Sequence, residues 1–221
     1  MTAIGFDVYG TLVDPLAMSA ALESFAGERA GEMAALWRAK QLEYSFRRAL
    51  MEAYENFDVC TLDALRYAGR AMGIGLTAAD ERALLGEYLN LDAYPDVVPG
   101  IRALRARRHA LVAFSNGVEA SLRELLGRAR VLEHLDGIVS VDEVGTFKPN
   151  PAVYRHLAGR LGYPPDETWL VSSNYWDVAG ARQAGLHAAW LRRDPNAIPD
   201  PWGPEPDLVI ASLTELEGQI A

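Results

Sequence analysis

The stretch Thr2-Ala3-Ile4-Gly5-Phe6-Asp7-Val8-Tyr9-Gly10-Thr11-Leu12-Val13 decides how this chain folds. Its first half is a short apolar run broken by an aspartate and then a glycine, the pattern of a buried strand that ends in a tight turn. Similar short runs recur at 110–115, 137–141, 168–173, 187–191 and 207–211. Helical patterns lie between them, at 100–108, 119–128, 151–161 and 178–184, with a closing helix expected from Leu213. Strands that alternate with helices predict a parallel sheet covered on both faces.

Residues 15–94 break the alternation. They hold long helical stretches at 33–54, 61–72 and 78–89 and no convincing strand, so an all-helical cap inserted after the first strand is the expected second unit. The segment 95–99, with a proline at each end, marks the return to the sheet. The predicted organisation is a doubly wound, Rossmann-like α/β core made of 1–14 and 95–221, with 15–94 as the helical cap.

Composition excludes several classes of function. The chain has 221 residues, half of them hydrophobic, so a packed core is available without low-complexity or disordered tracts. No apolar run approaches the roughly 18 residues that span a membrane, and Met1-Thr2-Ala3-Ile4 carries no basic residue of the kind that opens a signal peptide. A net charge of −9 argues against a nucleic-acid partner. The single cysteine, Cys60, points to a reducing cytoplasm, and the four histidines have no ligand spacing.

Reactive side chains gather in one predicted place. Asp7, Ser115, Lys148 and Ser172-Ser173-Asn174 all fall at or just beyond the carboxyl ends of predicted strands, where open parallel sheets bind ligands. Each has a plain structural alternative. Asp7 could initiate a turn, Ser115-Asn116-Gly117 could cap a helix, Lys148 could be solvated, and Asp177 could be an N-cap. Four separate segments converging on one rim weaken those alternatives together.

The motifs in this order resemble the haloacid dehalogenase superfamily. Asp7-Val8-Tyr9-Gly10-Thr11-Leu12-Val13 is similar to its first motif, Ser115-Asn116-Gly117 to the second, Lys148-Pro149 to the third, and Ser172-Ser173-Asn174-Tyr175-Trp176-Asp177 to the fourth. Most members of that superfamily are magnesium-dependent phosphatases with a second aspartate two residues after the first. Here that place is Tyr9, whose ordinary pKa of about 10 rules out a carboxylate's work, and the early fourth-motif acids are Ser172, Ser173 and Asn174. Magnesium needs hard anionic oxygens, so no metal and no other cofactor is expected.

These substitutions resemble the L-2-haloacid dehalogenase branch, as does Leu36-Trp37-Arg38-Ala39-Lys40-Gln41-Leu42-Glu43-Tyr44 in the insertion. The resemblance implies hydrolytic removal of halogen from short L-2-haloalkanoic acids. Asp7 is then the nucleophile, positioned by Thr11. Ser115, Lys148 and the Val8 and Tyr9 N–H groups hold the substrate carboxylate, while Arg38 and Asn116 receive the halide. Asp177 activates the hydrolytic water, with Ser172 and Asn174 placing it, Tyr154 supporting Lys148, and a lysine of low pKa as the rival base. Leu42, Phe57 and Trp176 are expected to form apolar walls. Ala39 stands where better-known members carry glutamine, which is expected to enlarge or dry the pocket. A homodimer is implied, a phosphatase with an unusual metal site and a non-catalytic binding protein remain as alternatives, Cys60 is expected to be buried and inert, and Trp202 is expected to pack on the core.

Overall fold

The computed structural model describes residues 2–220. Six parallel strands form one sheet in the order β3-β2-β1-β4-β5-β6: β1 (Ala3–Phe6), β2 (Ala110–Ser115), β3 (Gly137–Ser140), β4 (Thr168–Ser172), β5 (His187–Leu191) and β6 (Leu208–Ile210). All four residues of β1 are buried, as expected of a central strand with helices on both faces. The chain steps outward from β1 to β2 to β3 and then returns to the other side of β1 as β4. The order therefore reverses between β1 and β4, which opens a crevice at their carboxyl ends.

Between β1 and β2 lie α1 (Met18–Ala26), α2 (Ala30–Leu50), α3 (Phe57–Ala71) and α4 (Ala78–Tyr88), then α5 (Val97–Ala106). The sequence patterns locate α2, α3 and α4 with shifted ends and miss α1. Asn56 begins α3 earlier than predicted, because its side chain accepts from Val59 N at 3.1 Å. Trp37, buried on α2, donates Nε1 to Thr61 O of α3 at 2.9 Å. The two passages between sheet and insertion are paired, with Val13 bridging Ala93 and Tyr94 N donating to Leu12 O at 3.0 Å.

After β2 come α6 (Glu119–Arg128), α7 (Pro151–Leu161) and α8 (Tyr175–Gln183). Helices α7 and α8 lie so close that a Cβ on Gly180 would meet Tyr154 Oη at 2.5 Å. Only glycine permits that approach, and it carries the Tyr154 hydroxyl to the first turn of α8.

The expected closing helix is absent among the described residues. Leu213–Glu215 is a single 3-10 turn whose first N–H is taken by Asp96 Oδ2 at 2.7 Å, and Gly218 follows with φ of 89°. Leu213, Leu216 and Ile220 are buried through these turns, and the left-handed backbone at Gly218 departs from helix geometry. Trp202 is 72% exposed and does not pack on the core as expected, since its proline-rich loop turns it outward. Cys60 is buried, and burial pushes its thiol up to about 11, as an inert structural cysteine requires.

Candidate active site

Asp7 stands one residue beyond β1, at the reversal of the sheet. Its N–H continues the ladder to Val171 O at 2.9 Å, so the backbone is fixed and the side chain is delivered to the crevice. Gly10, with φ of 90°, turns the chain back at once, and Val8 O accepts from the N–H groups of Thr11, Leu12 and Val13. The Asp7 carboxylate is nearly buried and held at both oxygens. Oδ1 accepts from Lys148 Nζ at 3.0 Å; Oδ2 accepts from Thr11 Oγ1 at 2.9 Å and Asn174 Nδ2 at 2.8 Å. Thr11 Oγ1 also accepts from Ser173 N at 2.9 Å, which ties the loop after β4 to the nucleophile turn.

Lys148 is 1% exposed, and its ammonium donates to three acceptors: Asp7 Oδ1, Asp177 Oδ2 at 2.9 Å and Phe114 O at 2.9 Å. An ammonium has three hydrogens, so none remains for a substrate carboxylate, contrary to the expected role. Burial pulls its pKa down, but the attraction and hydrogen bonds of Asp177 and Asp7 outweigh that, and the net direction is up. The expected low-pKa lysine is thereby overturned, and Lys148 is a fixed cation between two carboxylates.

Asp177 is wholly buried on the first turn of α8. Burial raises its pKa, the Lys148 charge opposes the rise and Asp7 adds to it. A carboxylate raised in this way holds a proton more readily than an ordinary one, which suits it to act as a base. The resemblance implied that Tyr154 supports Lys148; instead it donates Oη to Asp177 Oδ1 at 2.7 Å and supports the acid directly. Burial, then the Asp177 charge, hold the Tyr154 phenol well above its ordinary value, so it remains a donor.

The other predicted residues divide. Ser115 ends β2 and accepts from Gly117 N at 3.1 Å, which leaves its hydroxyl hydrogen free of acceptors among the described residues. Asn116 Oδ1 accepts from Lys148 N at 3.0 Å, so its Nδ2 is the end left to face a ligand. Ser172 is buried, and its Oγ accepts from Asn174 N at 3.1 Å. The N–H groups of Val8 and Tyr9 have no acceptor among the described residues. Two unpaired N–H groups in one turn make a cradle for an anion.

Arg38 comes down from α2 onto this turn. Nη1 donates to Gln41 Oε1 at 2.7 Å and Nη2 to Tyr9 O at 3.2 Å, and the guanidinium lies 5.9 Å from the Tyr9 ring centre. Among the described residues no carboxylate forms an ion pair with it. Arg38 and Leu42 both line a vestibule of about 300 Å³ that also includes Gly10, Ser173, Asn174 and Trp190. A larger concavity, about 630 Å³, lies on α2 and α3 and contains none of these groups.

Three expectations fail at the walls. Trp176 packs edge to face on Phe46 of α2, ring centres 5.1 Å apart, and does not line the vestibule. Phe57 is 2% exposed and stacks behind Tyr9 at 5.8 Å, so it supports the turn from the rear. Ala39 is exposed on the outer side of α2, so its small side chain neither enlarges nor dries the vestibule. The sequence patterns missed Trp190, buried at the end of β5, and Arg193. The Arg193 guanidinium grips Thr11 O with Nε at 3.0 Å and Nη2 at 2.6 Å, and Asp96 Oδ1 with Nη1 at 3.0 Å. Lying 182 residues from Thr11, it gave no local signal.

Among the described residues no three His, Cys, Asp or Glu side chains converge as a metal site would. No helix there is long and apolar enough to cross a membrane.

Comparison with known proteins agrees with this geometry. A family model described as haloacid dehalogenase-like hydrolase matches residues 1–185. The chain is 37% identical over 211 residues to (S)-2-haloacid dehalogenase 2 of Pseudomonas sp. strain CBS-3, covering 96% of this chain and 92% of that protein. It is 37% identical over 210 residues to (S)-2-haloacid dehalogenase of Pseudomonas sp. strain YL, covering 95% and 90%. The solved structure of L-2-haloacid dehalogenase from Xanthobacter autotrophicus with chloropropionic acid covalently bound superposes with a TM-score of 0.93 at 30% identity, over 98% of this chain and 97% of that one. The match spans the sheet, the insertion and the rim where the reactive groups meet, and the chain belongs to the haloacid dehalogenase-like hydrolases.

Proposed function

We propose that this chain is a hydrolase that converts short L-2-haloalkanoic acids to D-2-hydroxy acids. The carrying observation is the Asp7 carboxylate, buried at the sheet reversal and held by Lys148, Thr11 and Asn174 beside a turn with free N–H groups. Relatives named (S)-2-haloacid dehalogenase, matched over nearly the whole chain, support the same reaction class.

In this mechanism the Val8 and Tyr9 N–H groups and the Ser115 hydroxyl hold the substrate carboxylate. An Asp7 oxygen attacks C2 from behind the carbon–halogen bond, forming an ester as the bonding pair leaves with the halide. Arg38 and Asn116 Nδ2 receive that halide. Arg38 suits the part because its partners are all uncharged, which leaves its positive charge available. The insertion excludes water, which frees the nucleophile and strengthens the guanidinium's pull.

Water then attacks the ester carbonyl, with Asp177 taking its proton and Ser172 and Asn174 placing it. Lys148 offsets charge on both carboxylates throughout. Attack at the carbonyl leaves the inverted C2 untouched, so an L-substrate gives a D-product. No divalent cation is required, because Tyr9, Ser172 and Asn174 supply no anionic oxygens and Lys148 supplies the positive charge.

We also assign 15–94 as the cap domain and 1–14 with 95–221 as the core. The protein is placed in the cytoplasm on its cysteine usage, and it forms a homodimer through the carboxyl end of α2, where Leu50 and the following Met51 are 86% and 65% exposed. Sedimentation of wild type against Leu50→Glu tests that contact.

One turnover in heavy-oxygen water tests the chemistry. Label in Asp7 and none in the product supports the ester route, and label in the product alone excludes it.

A further inference from the structure

Gln41 is wholly buried on α2, a position where a long amide must repay the removal of its polar atoms from water. It does so with a closed set of bonds. Oε1 accepts from Arg38 Nη1 at 2.7 Å and from Tyr88 Oη at 3.1 Å, and Nε2 donates to Thr61 Oγ1 at 2.6 Å. The amide cannot be reversed. Arg38 has only donors, so oxygen must face it, and the Thr61 hydroxyl hydrogen is committed to Phe57 O at 2.7 Å, so nitrogen must face Thr61. Three helices, α2, α3 and α4, therefore fix the direction of one guanidinium one turn away.

The chemistry of the choice matters as much as its geometry. Glutamate has the same shape and would bond Arg38 more strongly, but it would cancel the charge that a departing halide needs. We propose that Gln41 is a positioning residue for carbon–halogen cleavage, aiming Arg38 at the leaving atom while keeping its charge uncompensated. This rests on the halide-acceptor role given to Arg38 above.

The test compares wild type, Gln41→Glu, Gln41→Met and Arg38→Ala on 2-chloropropionate and 2-bromopropionate. Halide release is followed under single-turnover conditions so that ester hydrolysis does not mask cleavage, and inhibition by added chloride is measured beside it. Gln41→Glu is expected to slow cleavage of the chloro acid about 100-fold, the scale of losing one preorganised donor at developing charge. The bromo acid, with the better leaving group, should suffer less, so the bromo-to-chloro ratio widens and chloride inhibition disappears. Gln41→Met removes the acceptor without adding charge and should move both readouts in the same direction by a smaller factor.

A folded Gln41→Glu enzyme, by circular dichroism, with the wild-type ratio and wild-type chloride inhibition overturns the proposal. If that variant does not fold, an unchanged ratio in Gln41→Met overturns it instead. Arg38→Ala separates the two layers: a wild-type ratio there removes the halide role of Arg38 itself, whereas a widened ratio there with none in the Gln41 variants removes only the role of Gln41.

Discussion

Tyr154 and Lys148 hold the two oxygens of Asp177 separately, the phenol at 2.7 Å on Oδ1 and the ammonium at 2.9 Å on Oδ2. Both bonds favour the ionised acid, while burial, the largest influence, favours the neutral one. With Asp177 as the base, ester hydrolysis requires the ionised form and falls as pH drops through a value above the ordinary 3.8. Removing the phenol bond raises that value further. Tyr154→Phe should therefore move the acid limb of the pH–rate profile upward and slow hydrolysis about 10- to 100-fold, the worth of a hydrogen bond to a charged group. An unmoved acid limb would separate Tyr154 from the base.

Asp7→Asn keeps the size of the side chain and its reach to Lys148 and removes the nucleophile. Halide release should fall at least about 1,000-fold with the circular dichroism spectrum unchanged. Retained turnover would place the attacking oxygen elsewhere.

Asp177→Asn should stop the second step and not the first. Intact-protein mass spectrometry after mixing with 2-chloropropionate is expected to find the chain heavier by one acyl ester on Asp7. An unmodified mass together with lost turnover would give Asp177 a part in the first step.

Arg193→Ala should loosen the carbonyl of Thr11, whose hydroxyl holds the nucleophile. The side chain is largely buried and makes three bonds, so unfolding by denaturant should show a loss of about 1–3 kcal/mol, with a fall in the rate of ester formation. Arg193→Lys should recover part of the stability and little of the rate, since an ammonium cannot reproduce the two-pronged grip. Equal recovery of both would argue for a purely structural part.

Those groups differ in how far they announce themselves. Asp7, Ser115 and Asn174 follow short apolar runs, and Lys148 stands directly before Pro149, so strand ends and turns locate them without knowledge of the fold. Arg193 is one of two adjacent arginines, and only the sheet order brings β5 near enough to Thr11 for it to matter. Gln41 left a fainter trace, as a polar residue on the apolar side of a helix, which can equally mark a core amide. Trp176 misled because α8 starts at Tyr175, three residues before the predicted helix, and its first turn aims the ring at Phe46. The closing helix misled because its apolar residues Leu213, Leu216 and Ile220 are buried through turns, held by the Asp96 bond to Leu213 N and by the left-handed Gly218, which the spacing pattern does not register.

The rim is assembled from the ends of β1, β2 and β4 and the loop after β3, with Arg38 lowered from a helix that folds outside the sheet. Its parts touch only when the crossovers through β4 have been completed and the insertion has docked, so catalytic competence is a late and all-or-none property of refolding. During recovery from denaturant, far-ultraviolet ellipticity should return before halide-releasing activity, and fragments ending before Asp177 should gain helix without ever gaining turnover.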